Sequence, residues 1–275
     1  MTPTRAWNAL GLLATAVVAA LWLAPLAWAV DTALKPEAET TQVPITWIPS
    51  TFTLDAFNIV LGQGDLIRWF INSTIVTVAV TALVLAVSSM AAYGFSRTEF
   101  RGRRLLFALT LAGIMVPPQA LIVPLFREMQ ALGMVDTYWA LILPQVAVPA
   151  MVFILKKFFD GLPRETEDAA RVDGASPWRV YWNIVLPLSR PVLAAVGVFT
   201  FITTWNNFLW PFVVISDPSL MTVPVGVGSV QGTYGLRYAQ IMASAILGGL
   251  PLLIAYVFFQ RQIIRSVAHT GLTGT

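Results

Sequence analysis

The sequence has no cysteine and only one histidine, His269, so disulfides, thiolate metal sites and cysteine catalysis are all excluded. With a single imidazole near the C-terminal end, neither a histidine-based metal cluster nor a Ser-His-Asp triad can be assembled in the apolar part of the chain. No G-x-x-x-x-G-K-[ST] stretch occurs, so the chain has no P-loop of its own. Charge is also scarce. Only 11% of the 275 residues are charged, against about 25% in soluble domains. Apolar residues take their place, at 57% of the chain and a mean hydropathy of +0.72. The sequence pI of about 9.4 suggests nucleic acid at first, but the basic residues are scattered over loops, a pattern of membrane topology, and no nucleic-acid partner is expected.

A membrane span needs about 20 mostly apolar residues. Six runs qualify, at 9–30, 69–95, 105–126, 138–159, 190–214 and 240–260, which predicts an all-α, polytopic membrane protein with six spans. Arg5 and the small-residue step Ala27-Trp28-Ala29 give the first run some marks of a cleaved signal peptide. Its length, with Trp22 and Trp28 suited to an interfacial belt, favours a retained span. With the N-terminus inside, only Lys35, Arg68, Arg127 and Arg237 of the 17 Lys and Arg fall outside. Both termini are therefore expected to be cytoplasmic. Pro117-Pro118, Pro124, Pro144, Pro149, Pro211 and Pro251 interrupt the runs and predict kinked helices, which suit a cavity-lined transporter.

The loop at 160–189 is too regular for a plain connector. Pro163 fits the first turn of a short helix, with Glu165, Glu167 and Asp168 at its positive N-terminal end. Gly174 suits a left-handed helix end, and Ser176-Pro177 reads as an N-cap followed by a first-turn proline. Trp178, Tyr181, Trp182, Val185 and Leu186 then form one apolar face, ended by Pro187. On these features alone, an amphipathic helix pair that merely joins two spans fits as well as a docking element.

The string Glu167-Asp-Ala-Ala-Arg-Val-Asp-Gly174-Ala, followed by Ile184-Val-Leu-Pro187, resembles the EAA loop of ABC importer permeases. The glycine stands four residues after Ala170, and Ile184 to Pro187 stand at the family spacing. Asp168 departs from the pattern, in the place of the first alanine or before it according to alignment. Asn72-Ser-Thr, Ala91-Ala-Tyr-Gly-Phe-Ser-Arg97, Pro117-Pro118-Gln, Trp205 to Pro211, Val223 to Gly226 and Phe258 to Arg261 are similar to the second membrane subunit of maltose-type carbohydrate importers. The C-terminal ending from His269 departs from that family, so a tail contact with the ATPase does not carry over.

The resemblance implies an ABC type I importer permease fold and a single permease domain, 1–275. It implies two nucleotide-binding ATPase subunits docked on the loop at Glu167, Asp168, Ala169, Ala170, Asp173, Gly174, Ile184, Leu186 and Pro187. Glu167 would pair with a basic residue of the ATPase. Further implied partners are a second homologous permease subunit, an extracytoplasmic substrate-binding protein touching the segment 31–68, and a carbohydrate-like solute carried inward. The chain would be no enzyme and bind no cofactor, with ATP and Mg on the partner subunits.

Trp205, Asn206 and Asn207 are the best candidates for a sugar path, because amides meet hydroxyls and aromatic faces meet apolar ring faces. Gln119 and Asn72 are weaker candidates. Interfacial tryptophans and helix-tying asparagines are the plain alternative. Glycerol phosphates and amino sugars remain open as cargo, although no arginine lies deep in a span. A secondary transporter would carry mid-span carboxylates, and all 14 Asp and Glu lie in loops or at span ends. An intramembrane hydrolase would need a metal cluster or acidic dyad, and Ser88-Ser89 reads as helix packing.

Overall fold

The computed structural model describes residues 3–62, 65–233 and 236–271, and among these it is helical with no strand. The chain divides into two compact units, Met1–Arg68 with Gly226–Leu250, and Trp69–Val225 with Pro251–Thr275.

The first unit opens with α1 (Pro3–Ala33), whose apolar residues from Leu10 to Leu26 are exposed. A helix apolar all round is at rest only against lipid or other apolar helices. After α1 the chain folds back around Lys35, whose side chain is 2% exposed. Its ammonium lies 2.5 Å from Asp31 Oδ2, donates to the Thr46 carbonyl at 2.5 Å and stands 4.6 Å from the Trp28 ring centre. Trp28 in turn meets Trp47 edge-on at 5.1 Å. A buried ammonium needs such partners, and here they tie the segment into a compact cap. The Glu39 carboxylate accepts from the Ser50 hydroxyl and backbone, which holds its pKa below the usual carboxylate value. The segment 31–68 also carries a short helix, α2 (Asp55–Gly62), that hydropathy did not predict.

The second unit is organised on α3 (Asp65–Arg97), which crosses its core with Val76, Val80, Val84, Ala92 and Tyr93 buried. Beside lipid, apolar burial supplies little drive, so helices associate through close packing and small residues. Ser88, Ser89, Ala92 and Ala140 are accordingly buried, and a Cβ on Gly197 would stand 3.3 Å from Leu85 Cδ1. Ser88-Ser89 is thus packing.

Prolines break the next segments. Arg103–Met115, containing α4 (Arg103–Ala112), and Pro118–Ala131, containing α5 (Ile122–Ala131), meet at 97° across Pro117. Tyr138–Gln145, opened by α6 (Tyr138–Ile142), bends by 46° into α7 (Pro149–Asp160), where Pro149 takes the first turn. The proline-rich runs are therefore paired short helices, not straight rods. Pro124 and Pro211 are absorbed near helix N-termini, where no donor is missed, and Pro251 sits inside the long last helix.

The loop helices described below lead into α11 (Arg190–Trp205) across a 77° bend. The run 190–214 is not continuous. Asn206 caps α11 and helix resumes as α12 (Leu209–Val214), because the Asn207 side-chain oxygen accepts from the Trp210 backbone and substitutes for the helical ladder. Then come α13 (Val223–Thr233) and α14 (Tyr238–Gly271), which contains Phe258 to Arg261. The end of the expected tail, 272–275, lies outside the described residues. Among the described residues, two single helices, α1 and α3, are long and apolar enough to cross a membrane, and three bent pairs add further membrane-length apolar segments.

Candidate functional site at the 160–189 loop

The loop begins where α7 ends at Asp160. Its first helix, α8 (Glu165–Val172), carries Glu165, Glu167 and Asp168 in the first turn, where the helix dipole favours negative charge. It closes with two bonds that satisfy the last carbonyls, Gly174 N–H to Arg171 O at 3.0 Å and Ala175 N–H to Ala170 O at 2.9 Å. This closure needs a left-handed residue, and Gly174 supplies it with φ +83°. Ser176 then caps α9 (Pro177–Val180), its hydroxyl accepting from the Arg179 backbone at 3.3 Å.

The second helix passes through a wide π-turn, Tyr181–Val185, and α10 (Leu186–Leu188), and it ends at Ser189, two residues past the expected stop at Pro187. The wider turn re-registers the backbone around a residue that has no N–H to donate. The expected apolar face also splits in two. Val180, Tyr181 and Val185 are buried in the core, while Trp178 and Trp182 are each 59% exposed.

One face of α3 holds the loop. Ser89, Tyr93, Ser96 and Arg97 follow helical spacing, and each bonds a different part of it. Ser89 Oγ and Tyr181 Oη are 2.7 Å apart, and the Tyr93 hydroxyl donates to the Pro177 carbonyl at 3.2 Å. Ser96 donates to Asp160 Oδ1 at 2.7 Å, and Arg97 Nη2 donates to the Leu162 carbonyl at 2.9 Å. Arg97 Nε stands 2.7 Å from Glu167 Oε1, with the two side chains 2% and 3% exposed. Burial would raise the Asp160 pKa, but bonds from Lys156 and Ser96 outweigh it and hold the carboxyl below its ordinary value. Burial pushes the Tyr181 phenol up, against the lowering effect of Ser89.

The Glu167 carboxylate, which was expected to face an ATPase cation, is instead buried against Arg97 of its own chain. The exposed acid is its neighbour Asp168, 63% exposed and 3.3 Å from Arg171 Nη1. Ala169, Asp173, Gly174 and Pro187 are exposed, and Ala170, Ile184 and Leu186 are half-buried against the core. In the sequence Arg97 stands only as one of the loop arginines and the end of the Ala91–Arg97 string. Its structural role was not legible because its partner lies 70 positions away.

Residues 84–269 match the family described as binding-protein-dependent transport system inner membrane component. The arabinooligosaccharides transport system permease protein AraQ of Halalkalibacterium halodurans is 36% identical over 262 residues, 94% of each chain. The diacetylchitobiose uptake system permease protein NgcG of Streptomyces coelicolor is 33% identical over 251 residues, covering 90% of this chain and 83% of that protein. The chain belongs to this permease family. Its fold is that of an ABC importer membrane subunit. A solved bacterial ABC transporter that imports the acidic polysaccharide alginate superposes with a TM-score of 0.82 over 95% of this chain and 98% of the other, at 21% identity. The protein is thus a multi-pass membrane subunit of an ABC importer, a transport component and not an enzyme.

The permease does not gather all the sugar-path candidates into one site. Asn72 is 2% exposed and fully bonded, donating to the Ser219 and Met221 carbonyls at 2.9 Å each and accepting from the Tyr138 hydroxyl at 2.6 Å. Trp205 is 3% exposed, with Phe201 stacked at 6.0 Å and Phe70 at 6.2 Å. Both therefore hold structure. Asn207 is half-buried and donates to Gln145 Oε1 at 2.9 Å, bringing in a residue that the sequence reading passed over. Its only signal was an amide beside Pro144 in an apolar run. Asn206 and Gln119 are exposed, the latter at the bend between α4 and α5.

Proposed function

We propose that this permease carries a neutral oligosaccharide inward across the cell membrane, powered by two nucleotide-binding subunits seated on the 160–189 loop. The observation that carries the docking reading is the outer surface of that loop. Asp168, Val172, Trp178 and Trp182 are all exposed on a helix pair that is itself bonded to the core. An acid among large apolar side chains in a mostly charge-poor protein is the chemistry of a protein interface. Asp168, not Glu167, is the acid offered to an ATPase cation. ATP and Mg belong to the partner subunits, and this chain contributes shape and motion.

Six spans with both termini cytoplasmic accommodate the helices and the lysine and arginine asymmetry. A second permease subunit covers part of the exposed apolar helix surface, and the Lys35-centred cap is the surface offered to an extracytoplasmic binding protein. Oligosaccharide cargo is supported by relatives such as AraQ and NgcG, whose names give arabinooligosaccharides and diacetylchitobiose. It is also supported by α11, which carries no charged residue beyond Arg190 at its start.

The docking reading is tested by single cysteines in this naturally cysteine-free chain. In the assembled importer, Asp168→Cys and Trp178→Cys should cross-link to the nucleotide-binding subunit, while Ser50→Cys should not. Absence of any cross-link from the loop positions would remove the reading.

A further inference from the structure

The four α3 side chains that reach the loop reach all of it. Ser96 and Arg97 hold its entrance at Asp160 and Leu162, Arg97 holds α8 through Glu167, and Tyr93 and Ser89 hold the second helix at Pro177 and Tyr181. A loop joined to the core by its two peptide ends alone would swing under load. Swinging this one requires withdrawing a carboxylate and a guanidinium, both over nine-tenths buried, from each other. Separating them takes Glu167 from its nearest cation and leaves it only Arg171, at 3.8 Å, while Arg97 is left buried without a carboxylate, so the contact opens reluctantly. Arg97 adds direction through Nη2, which donates to the Leu162 carbonyl, while its Nε stands in ion-pair contact with Glu167.

We propose that the Arg97–Glu167 pair locks the 160–189 loop to the end of α3, so that loop and helix move as one body and Arg97 is a positioning residue for energy coupling. The inference rests on the docking reading above. It adds the path by which motion leaves the loop. α3 has 33 residues and is about 50 Å long, so a displacement at Arg97 is carried to its other end near Asn72. Coupling then passes through a rigid element with two positions, not through a flexible connector. Trp178 and Trp182 take no part in the lock and stay available to the partner, as does the exposed Asp168, whose contact is with the half-exposed Arg171.

Three variants test this in the complete importer, with permease pair, ATPase and binding protein present. Arg97→Ala removes the lock. Arg97→Lys keeps the positive charge that topology requires but not the fork. Both should leave the ATPase subunits bound and hydrolysing, while solute carried per ATP falls about ten-fold, the change equivalent to 1.4 kcal/mol. Wild-type transport per ATP in both would overturn the proposal.

The third variant, Ser96→Cys with Asp160→Cys, remains decisive if the arginine variants fail to accumulate. Bridging these two positions with a short thiol cross-linker should leave transport within about two-fold of the unbridged variant, since a joint that never opens is not harmed by a clamp. Loss of transport on bridging, with ATPase activity retained, would show that the loop must move against α3 and would overturn the proposal. The two readings fail separately. A loop that does not cross-link to the ATPase at Asp168 removes docking, whereas normal cross-linking with coupled Arg97 variants removes only the lock.

Discussion

The Tyr138 hydroxyl donates to Asn72 Oδ1 across 2.6 Å, and the same asparagine amide holds the carbonyls of Ser219 and Met221. One side chain thereby joins α3, α6 and the connection after α12. It is a structural knot inside the protein, at a position that the sequence offered as a weaker sugar-path candidate.

Asn72→Ala is expected to destabilise the permease while leaving substrate selection unchanged. Leaving buried partners unsatisfied costs about 1–3 kcal/mol for each group. Thermal unfolding in detergent should shift down, and the KM of transport should stay that of the wild type. A changed KM with unchanged stability would return Asn72 to the substrate path.

Asn206 and Gln119 are the exposed members of the candidate set, and they should behave in the opposite way. Asn206→Ala and Gln119→Ala are predicted to leave thermal stability within about 0.5 kcal/mol, as surface changes do. Either one raising the transport KM several-fold marks the path. Wild-type KM in both would remove these two from the path and leave the Asn207–Gln145 pair and the partner permease as the sources of sugar-binding groups.

Gly174→Ala should weaken the loop without disturbing insertion. A side chain at φ +83° costs about 1–2 kcal/mol, and the two bonds that close α8 depend on that conformation. Limited proteolysis should cut the variant between α8 and α9 sooner than the wild type, and solute carried per ATP should fall. Identical cutting rates would contradict this account of the turn.

Asp160 gives the protein a specific acid sensitivity. Its pKa is held below the ordinary value because the Lys156 and Ser96 bonds outweigh burial. A depressed carboxylate stabilises the fold above its unfolded value, near 3.8, and that contribution disappears as pH falls through the lower folded value. Asp160→Asn should therefore be less stable than wild type near neutral pH, and the gap should close below about pH 4. A gap constant with pH would show that the charge of Asp160 contributes nothing.

Local structure in the loop was readable because it depends on neighbours in sequence. Gly174 had to end one helix, and Ser176-Pro177 had to begin the next, by capping chemistry alone. Long apolar runs likewise announced membrane-length helices. What could not be read depends on distant partners. Glu167 and Asp168 are adjacent acids in one helical turn, and the distant Arg97 packs against the first of them, which is the buried one. Lys35 looked like an ordinary external cation until Trp28, Asp31 and Thr46 closed around it. The kink at Pro117 was legible in the prolines themselves, whereas the break at Asn206 was hidden for another reason. Hydropathy counts apolar residues and does not register a backbone that turns within them.

The most direct test of the central claim is uptake of a labelled oligosaccharide, chosen as one the cognate binding protein retains, into membrane vesicles containing the permease pair and binding protein. The nucleotide-binding subunits are added or withheld, and ATP is supplied on the side of the 160–189 loop. Accumulation should require both the subunits and ATP, and it should stop with a non-hydrolysable analogue. Accumulation that persists without the subunits, or that follows an ion gradient in the absence of ATP, would contradict the account.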